Sequence, residues 1–566
     1  MSGGAVDRAV RNRTWLVLLL ALVLYVPFNG MRDLWYPDEP DIGEVAQKMY
    51  ESGDLVAPRR NGTVWVDYPP MLYWVGCGVA FLAGGVGEWS LRMASALGAL
   101  ALLWLVLRAG ARWFGAEAAL WSALALLTMV QFAYNAVSYR PDVLFTLGFA
   151  GGLLLYAEGV GERARAGPRI AGFALFGFAV LAKGVLGLLL PGLILVLYHG
   201  SRREWRRILA LAPLSLVSLA LYLPWFVACG KVMVDEGLSA GILTEVWEQN
   251  CARFLSGEER GHGQPLLYYV GVLWADLAPW SLFLPLVAWQ LVRDKLWREP
   301  RTRLLVIWAL TSVAFLSLAA TKRQVYLLVA YPAFALLIGR WLAGLATTAP
   351  ADAMARAARV GLRALAVILG AAGLAALASP WILAAVLAHK PRPAFEAEAL
   401  TALAGPLRIL GVVVLAAAAW LAHAAWARGP RSAALRLAAA MAATFVVVQA
   451  FVLPAADPLK TYAPAGRWLR AQLPAGERHV ALHYLDLGFH KMGAFAYELD
   501  GWIVLTKSEA DIEAFFADHP DSLCVVAASE LDPILASTRH DWRTAIVRDD
   551  LIAGRRPYVV LRAPSR

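Results

Sequence analysis

A polar segment rich in carboxylates directly follows the first hydrophobic stretch of the chain. Its acidic side chains are Asp33, Asp38, Glu39, Asp41, Glu44, Glu51, Asp54 and Asp67. Charged groups beside a membrane segment are costly, so a cluster of this kind is expected to serve a function. Positioned carboxylates can take a proton from a nucleophile or bind a divalent cation.

Asp38 stands at the start of a predicted amphipathic helix. Ile42, Val45, Ala46 and Met49 follow it at helical spacing, which predicts a helix lying on the membrane with carboxylates at its N-terminus. Asp is a favoured N-cap residue. The spacing alone therefore favours a capping role for Asp38 over a chemical one.

Two further charges stand beside apolar stretches later in the chain. Lys183 separates two of them, where an isolated charge costs roughly 3 kcal/mol, so we expect it to have a partner or a ligand. Asp142 begins another apolar stretch. We expect it at the outer end of that span, within reach of the acidic segment.

The composition is that of a membrane protein with many spans. Hydrophobic residues make up 59% and charged residues 17% of the 566 positions, and the mean hydropathy is +0.56, which excludes an ordinary soluble enzyme. The net charge of +10 comes from short basic clusters between apolar runs. Such clusters follow the positive-inside rule, so we expect no nucleic-acid binding.

Apolar runs of about 20 residues predict thirteen membrane spans. They lie near residues 14–28, 90–107, 115–133, 142–157, 170–182, 184–198, 208–228, 265–291, 303–320, 324–343, 360–388, 404–427 and 432–453. The segment 70–85 is apolar but short and contains glycines. We interpret it as a helix in the membrane interface.

The basic clusters predict the orientation of the chain. Arg8, Arg11 and Arg13 precede the first span, and alternate loops carry further arginines. These segments are expected to face the cytoplasm of a bacterial inner (plasma) membrane. Loops 29–89 and 229–264, and everything after about residue 455, are then expected on the outer, periplasmic side.

The last part of the chain has a different pattern. Alternating residues at 480–484, 502–505 and 523–526 predict strands, and 510–516 predicts a helix. We therefore expect two units, a transmembrane unit at 1–454 and a small soluble α/β domain at 455–566. Cys229 and Cys251 in the second outer loop could pair or stay as thiols, and the sequence leaves both open.

Several short motifs occur in a characteristic order along the membrane region. They are Pro37-Asp38-Glu39, Ser52-Gly53-Asp54-Leu55-Val56, Asp67-Tyr68-Pro69-Pro70-Met71, Arg140-Pro141-Asp142, Leu181-Ala182-Lys183-Gly184, Arg253-Phe254, Pro279-Trp280 and Thr321-Lys322-Arg323. Together they resemble the GT-C membrane glycosyltransferases, in the branch of protein O-mannosyltransferases and lipid A aminoarabinose transferases. The resemblance implies a mostly α-helical GT-C fold.

The resemblance also implies a reaction and its residues. A sugar would pass from a polyprenyl phosphate to an acceptor on the outer side, with inversion at the anomeric carbon. Asp38 would be the catalytic base, and Asp142 would orient the acceptor or share that role. Cations would stabilise the departing phosphate, and the candidates are Lys183, Arg59, Arg253 and Lys322.

Other residues receive secondary roles on this interpretation. Glu39, Tyr68, Tyr326 and Asn250 are expected to line the substrate site, and Asp67 is a candidate metal ligand. Arg60 and Arg323 are assigned to interfacial anchoring. Tyr68 stands where lipid A aminoarabinose transferases commonly have Lys, and Asn250 where they often have His, so the donor sugar stays open.

Three kinds of protein remain to be weighed. The first is the glycosyltransferase, which acts as a monomer on a lipid A phosphate, a glycan or a protein hydroxyl. No cofactor is firmly implied for it beyond a possible divalent metal. The second is a transporter or flippase of lipid-linked sugars, which predicts internal repeats and broken helices near the midplane. The third is a structural subunit whose acidic loop is a solvated face.

Overall fold

The chain is mostly helical, as the sequence predicts. A computed structural model describes residues 15–160, 165–238, 241–248, 263–345, 352–390, 392–483, 488–536 and 539–564. The predicted site residues Arg253 and Asn250, and Cys251, lie outside the described residues. Cys229 is a buried free cysteine.

The first half of the chain forms helices around one small hairpin. The helices are α1 (Trp15–Tyr25), α2 (Glu39–Ser52), α3 (Met71–Ala83), α4 (Glu88–Phe114), α5 (Ala116–Thr128), α6 (Val130–Ala136), α7 (Asp142–Gly159), α8 (Ala166–Lys183), α9 (Leu186–Ser201), α10 (Trp205–Leu209), α11 (Leu211–Asp235) and α12 (Gly241–Trp247). The hairpin pairs β1 (Arg59–Arg60) with β2 (Thr63–Val64) in antiparallel fashion. It lies in the acidic segment between α2 and α3.

The second half continues with helices and ends in a sheet. The helices are α13 (Tyr268–Asp276), α14 (Leu284–Arg293), α15 (Pro300–Leu318), α16 (Tyr331–Leu345), α17 (Ala353–Leu377), α18 (Ser379–His389), α19 (Ala394–Ala402), α20 (Ala404–Ala427), α21 (Pro430–Val447), α22 (Leu453–Ala455), α23 (Ala463–Gln472), α24 (Gly488–Leu499), α25 (Glu509–Asp518) and α26 (Leu531–Leu535). Short 3₁₀ segments, including Trp280–Phe283 and Gln324–Ala330, connect some of them. The strands are β3 (His479–His483), β4 (Trp502–Thr506), β5 (Leu523–Ala527), β6 (Ile546–Ala553) and β7 (Arg556–Leu561).

The helices identify a multi-pass membrane protein. Among the described residues, nine helices are long and apolar enough to cross a membrane, and two bent pairs raise the number to eleven. The bends are 70° between α5 and α6, and 111° between α13 and the segment that begins at Trp280. The two breaks meet, because the N–H of Val130 donates to the carbonyl of Ala278 at 3.2 Å.

The C-terminal sheet has five strands in the order β4-β3-β5-β7-β6. β4, β3 and β5 are parallel, whereas β7 runs antiparallel to β5 and β6. Alternating strand residues face opposite sides, so Val480 and Leu482 enter one apolar core and Ala481 enters another. The three predicted strands are present, and the sequence pattern missed β6 and β7.

The acidic segment contacts this sheet through its hairpin. The side chain of Asn61 accepts from the N–H of Ile503 at 2.8 Å and donates to the carbonyl of Ile503 at 2.7 Å. Ile503 lies in the edge strand β4, whose outward backbone groups would otherwise be open to pairing. On α2, Gln47 and Lys48 contact Asp500 at 3.1 and 3.3 Å. These contacts fix α2 against the sheet.

The other end of α2 is held by a buried ion cluster around Glu39. Its side chain is 3% exposed and lies 2.6 Å from Arg32 and 3.0 Å from Arg92 of α4. It also accepts the backbone N–H of Tyr139 at 2.8 Å and of Trp35 at 3.0 Å. Glu39 therefore joins the start of α2 to α4 and to the link between α6 and α7.

Replacing Glu39 with Gln is expected to lower the free energy of unfolding by about 3–5 kcal/mol, because two buried guanidinium groups lose their counter-charge. Unfolding of the purified protein in detergent micelles measures this change. Glu51→Gln is the matched control: Glu51 is 40% exposed, so a change within about 0.5 kcal/mol is expected. A Glu39→Gln variant as stable as the wild type would contradict the structural role.

Candidate functional site

A cavity of about 380 Å³ opens between the acidic segment and several spans. Its apolar wall consists of Phe145, Leu186, Leu189, Tyr222, Trp225 and Phe315 among others, and its polar groups are Asp67, Tyr68, Asp142, Lys183, Thr321 and Tyr326. The structure thus brings together residues from α7, α8, α9, α11, α15 and the 3₁₀ segment Gln324–Ala330. A long apolar wall beside a few converging polar groups is typical of a ligand site.

Lys183 and Asp142 form an ion pair inside this cavity. The Lys183 ammonium group donates to the Asp142 carboxylate, and the side chains are 17% and 8% exposed. Lys183 ends α8 and Asp142 begins α7. Each charge therefore lies at the helix end whose dipole has the opposite sign, which is favourable. The ammonium group lies 4.6 Å from the ring centre of Tyr326. The partner expected for Lys183 is therefore Asp142.

Asp38 occupies the N-cap position of α2 but makes no capping hydrogen bond with its side chain. Its carboxylate lies 2.6 Å from Arg323 and 2.8 Å from Arg140. Burial acts to raise the pKa of Asp38, but Arg140, Arg323 and Lys183 hold that pKa below its ordinary value. The capping role favoured by spacing is wrong, and the carboxylate is ionised.

Two arginines predicted to anchor the chain in the interface pair with carboxylates of the acidic segment. Arg323 binds Asp38, as described above. Arg60 is 3% exposed and pairs with Asp41 at 3.0 Å. Arg140 was not among the predicted phosphate or catalytic residues, although its place in Arg140-Pro141-Asp142 beside a predicted site residue was a usable signal.

Two predicted phosphate ligands are held by contacts outside the set of cavity-lining residues. Arg59 pairs with Glu236 at the end of α11, at 3.2 Å from one oxygen. Lys322 donates to the carbonyl of Gln264 at 2.9 Å. Both side chains therefore connect separate segments of the chain, and their role as phosphate ligands stays a prediction.

The predicted substrate-lining residues divide in the same way. Tyr68 and Tyr326 line the cavity, and so does the candidate metal ligand Asp67. Glu39 does not, because its oxygens are occupied by Arg32, Arg92 and two backbone N–H groups. Its substrate-lining role is replaced by the structural one.

Asp276 is a positioning residue that the sequence interpretation missed. It is fully buried, and its carboxylate accepts from Gln324 and from the Tyr331 hydroxyl at 2.5 Å. These partners flank the segment that carries Tyr326, and Tyr269 donates to the Arg323 carbonyl at 3.0 Å. An acidic residue within an apolar span was the signal that could have found it.

Proteins similar to this chain were found by sequence and by structure. The family model for dolichyl-phosphate-mannose-protein mannosyltransferases matches residues 67–227. The structure resembles ArnT from Cupriavidus metallidurans bound to undecaprenyl phosphate, with a TM-score of 0.77 at 24% identity, covering 97% of this chain and 99% of that one. It also resembles the apo oligosaccharyltransferase of Archaeoglobus fulgidus, with a TM-score of 0.53 at 13% identity, covering 92% and 69%.

The chain thus has the fold of the ArnT structure from Cupriavidus metallidurans. By sequence, it is 31% identical over 337 residues to undecaprenyl phosphate-alpha-4-amino-4-deoxy-L-arabinose arabinosyl transferase 1 of Pseudomonas fluorescens, covering 57% of this chain and 58% of the relative. It is 28% identical over 348 residues to the transferase of the same description from an Enterobacter species, covering 59% and 60%. The chain thus spans less than two thirds of the length of these curated relatives.

The acidic segment has a second group of carboxylates near Asp38. Asp41 and Glu44 lie on the buried face of α2, one helical turn apart. One oxygen of Glu44 accepts the N–H of Asn61 at 2.6 Å, and the other has no hydrogen-bond partner among the described residues. Burial raises the pKa of Glu44 to about 7, against the smaller effects of that hydrogen bond and of Arg60. Glu44 is therefore protonated in the folded chain below neutral pH.

The Glu44→Gln variant is expected to change the dependence of stability on pH. The folded chain holds the Glu44 proton up to about pH 7, whereas the unfolded chain releases it near its ordinary value, so this contribution to stability is complete below pH 4.5 and is lost as pH rises through 7. Gln keeps the neutral form. Glu44→Gln should match the wild type near pH 4.5 and exceed it above pH 7 by up to roughly 3 kcal/mol.

Unfolding of both proteins across this pH range in micelles tests the expectation. Glu51→Gln controls for removing a charge from the same helix. A difference between Glu44→Gln and the wild type that does not change with pH would mean that Glu44 is ionised in the folded chain.

Proposed function

We propose that this chain is an integral membrane glycosyltransferase. It moves a sugar from a polyprenyl phosphate to an acceptor on the outer side of the membrane, with inversion at the anomeric carbon. The observation that carries the proposal is the cavity, which joins a long apolar wall to the Lys183–Asp142 pair. Asp38 is not among the lining residues, but the charge of Lys183 helps to lower the pKa of its carboxylate.

The apolar wall and Lys183 suit the two parts of the donor. A polyprenyl chain gains roughly 0.8 kcal/mol per buried methylene group, which Leu186, Leu189 and Phe315 can supply. The phosphate leaves with growing negative charge, which the Lys183 ammonium group stabilises. The curated relatives carry undecaprenyl phosphate in their names, and one similar structure was solved with it bound. This supports undecaprenyl phosphate as the carrier.

Asp38 is proposed to act on the acceptor. The acceptor oxygen forms a bond to the anomeric carbon while the bond from that carbon to the phosphate oxygen breaks, and its electron pair stays on the phosphate. A hydroxyl acceptor gives its proton to Asp38. Because the pKa of Asp38 is lowered, this proton transfer occurs late in the reaction. A phosphate acceptor needs no base, and Arg140 and Arg323 then compensate its charge. Lipid A phosphate, a glycan and a protein hydroxyl are the acceptors we consider.

Asp67 and Asp142 are both carboxylates of the cavity lining. Hard divalent cations prefer oxygen ligands of this kind. We retain Asp67 as the candidate ligand of such an ion, which would add positive charge near the leaving phosphate.

We also propose how the chain lies in the membrane. Adding the short apolar helices α1 and α9 to the eleven candidates restores the thirteen spans predicted from sequence. With Arg8, Arg11 and Arg13 in the cytoplasm, an odd number of spans leaves the sheet outside, together with the acidic segment and the cavity mouth, in a bacterial inner membrane. The boundary near residue 455 then separates a membrane domain from a periplasmic α/β domain. The charges of the site cluster at this outer end, as a transferase with an outward-facing site requires.

Asp38→Asn is expected to reduce transfer by about a hundredfold to ten-thousandfold while the protein stays folded, because Asn neither accepts a proton nor carries charge. The assay uses purified protein with an undecaprenyl-phosphate sugar and envelope lipids or glycans, followed by mass spectrometry of the products. Glu51→Gln, from the same segment, should keep full transfer. Unchanged transfer by Asp38→Asn would overturn the assignment.

Lys183→Met is expected to lower kcat/KM for the lipid-linked donor by about a hundredfold to a thousandfold, the usual loss when one donor to a developing anion is removed. The matched control is Lys48→Met, since Lys48 pairs with Asp500 outside the cavity-lining set. If the two variants lose the same fraction of activity, the loss is caused by the change in net charge, and Lys183 does not stabilise the phosphate.

A further inference from the structure

A second group of chemically capable side chains lies in the C-terminal sheet. Glu477 precedes β3, His479 begins β3, and His519 follows α25. Residues 477 and 479 are two positions apart on extended chain, so their side chains share a face. β3 and β5 are parallel neighbours, with Val480 beside Leu523. This brings the turn containing His519 to the same end of the sheet.

The three side chains converge on one point. Nδ1 of His479 lies 3.0 Å from one Glu477 oxygen, and Nδ1 of His519 lies 3.2 Å from the other. One potential ligand atom from each residue can be chosen so that all three lie within 4.8 Å of one another. The imidazole ring centres are 4.3 Å apart.

Two imidazole nitrogens and one carboxylate oxygen form a donor set that binds zinc with an open fourth position. A tetrahedral ion with bonds of about 2.0–2.1 Å holds its ligand atoms roughly 3.3 Å apart. The two distances to Glu477 are already close to that separation. We propose that Glu477, His479 and His519 bind one divalent transition-metal ion, and that Zn²⁺ is the ion this donor set takes.

The surroundings orient these ligands. One Glu477 oxygen accepts the N–H groups of Arg478 and His479, each at 2.8 Å, and the ring of Phe515 stacks on His519 at 5.1 Å. These contacts hold the carboxylate and the imidazole in place, as supporting contacts do around metal sites.

A hydrogen-bonded cluster, in which each imidazole donates its Nδ1–H to one Glu477 oxygen, is the alternative that the metal titration below distinguishes. The side chains are 38%, 25% and 19% exposed for His479, His519 and Glu477, so an ion and a water ligand can reach them.

The metal would stabilise the part of the sheet that contacts the acidic segment. The carbonyl of Arg478 accepts the N–H of Trp502 at 2.7 Å, at the start of β4. The ring of Trp502 lies 5.3 Å from the Lys48 ammonium group on α2. Binding at Glu477 and His479 therefore fastens the chain next to the contact between the sheet and α2.

Zinc titration of the purified, chelator-treated full chain in micelles tests the site. Elemental analysis should find one more equivalent of Zn²⁺ in the wild type than in Glu477→Gln, His479→Asn or His519→Asn. Zn²⁺ should also raise the melting temperature of the wild type more than that of Glu477→Gln. His540→Asn is the control, since His540 contacts Glu513 at 3.3 Å without a second histidine among the described residues. It should bind as the wild type does.

Cobalt absorption gives a second measurement that needs no activity. Co²⁺ at the site should show the intense visible bands of four-coordinate ions, and Glu477→Gln and His519→Asn should lose them. Equal zinc stoichiometry in the wild type and all three variants, with unchanged cobalt spectra, would overturn the proposal. If one variant does not fold, the other two carry the comparison.

Discussion

The buried charge cluster of Glu39, Arg32 and Arg92 is the constraint on which the site depends. Ions removed from water are tolerated only when they are paired and fully hydrogen bonded. Glu39 meets this condition with two guanidinium groups and two backbone N–H groups from separate parts of the chain. The start of α2 therefore has one position relative to α4 and α7. Asp38 is one residue earlier, so its position is fixed as well.

Asp38 and Glu39 show how adjacent carboxylates acquire different roles. Glu39 is 3% exposed and saturated, whereas Asp38 is 18% exposed. The arginines on Asp38 come from two distant segments, at residues 140 and 323. These arginines can exchange partners when an anionic ligand arrives. The buried neighbour cannot do so without leaving charges uncompensated, so it fixes geometry while Asp38 stays available.

The sequence predicted the parts of the fold that local patterns determine. Apolar length gave the helices, and period-two alternation gave β3, β4 and β5. It also singled out Asp142 and Lys183, because a charge beside an apolar span has few structural explanations, and the fold brings both into one ion pair in the cavity. Arg323 was assigned to interfacial anchoring, whereas the structure pairs it with Asp38. Snorkelling and binding to a distant carboxylate leave the same local signature, and only the fold brings residue 323 to residue 38.

The adjacent residues Lys322 and Arg323 also show that only the fold determines which partner a charged side chain contacts. Successive residues on the extended chain before the 3₁₀ segment point in different directions, so Lys322 contacts the carbonyl of Gln264 while Arg323 contacts Asp38. Asp276 then fixes the segment that follows, through Gln324 and Tyr331. Short segments of this kind keep their positions in a site only when buried contacts fix them from several directions. Glu39 fixes the start of α2 and the residues before α7, and Asp276 fixes the segment that carries Tyr326. The positions of Asp38 and Tyr326 thus depend on two buried carboxylates that do not line the cavity.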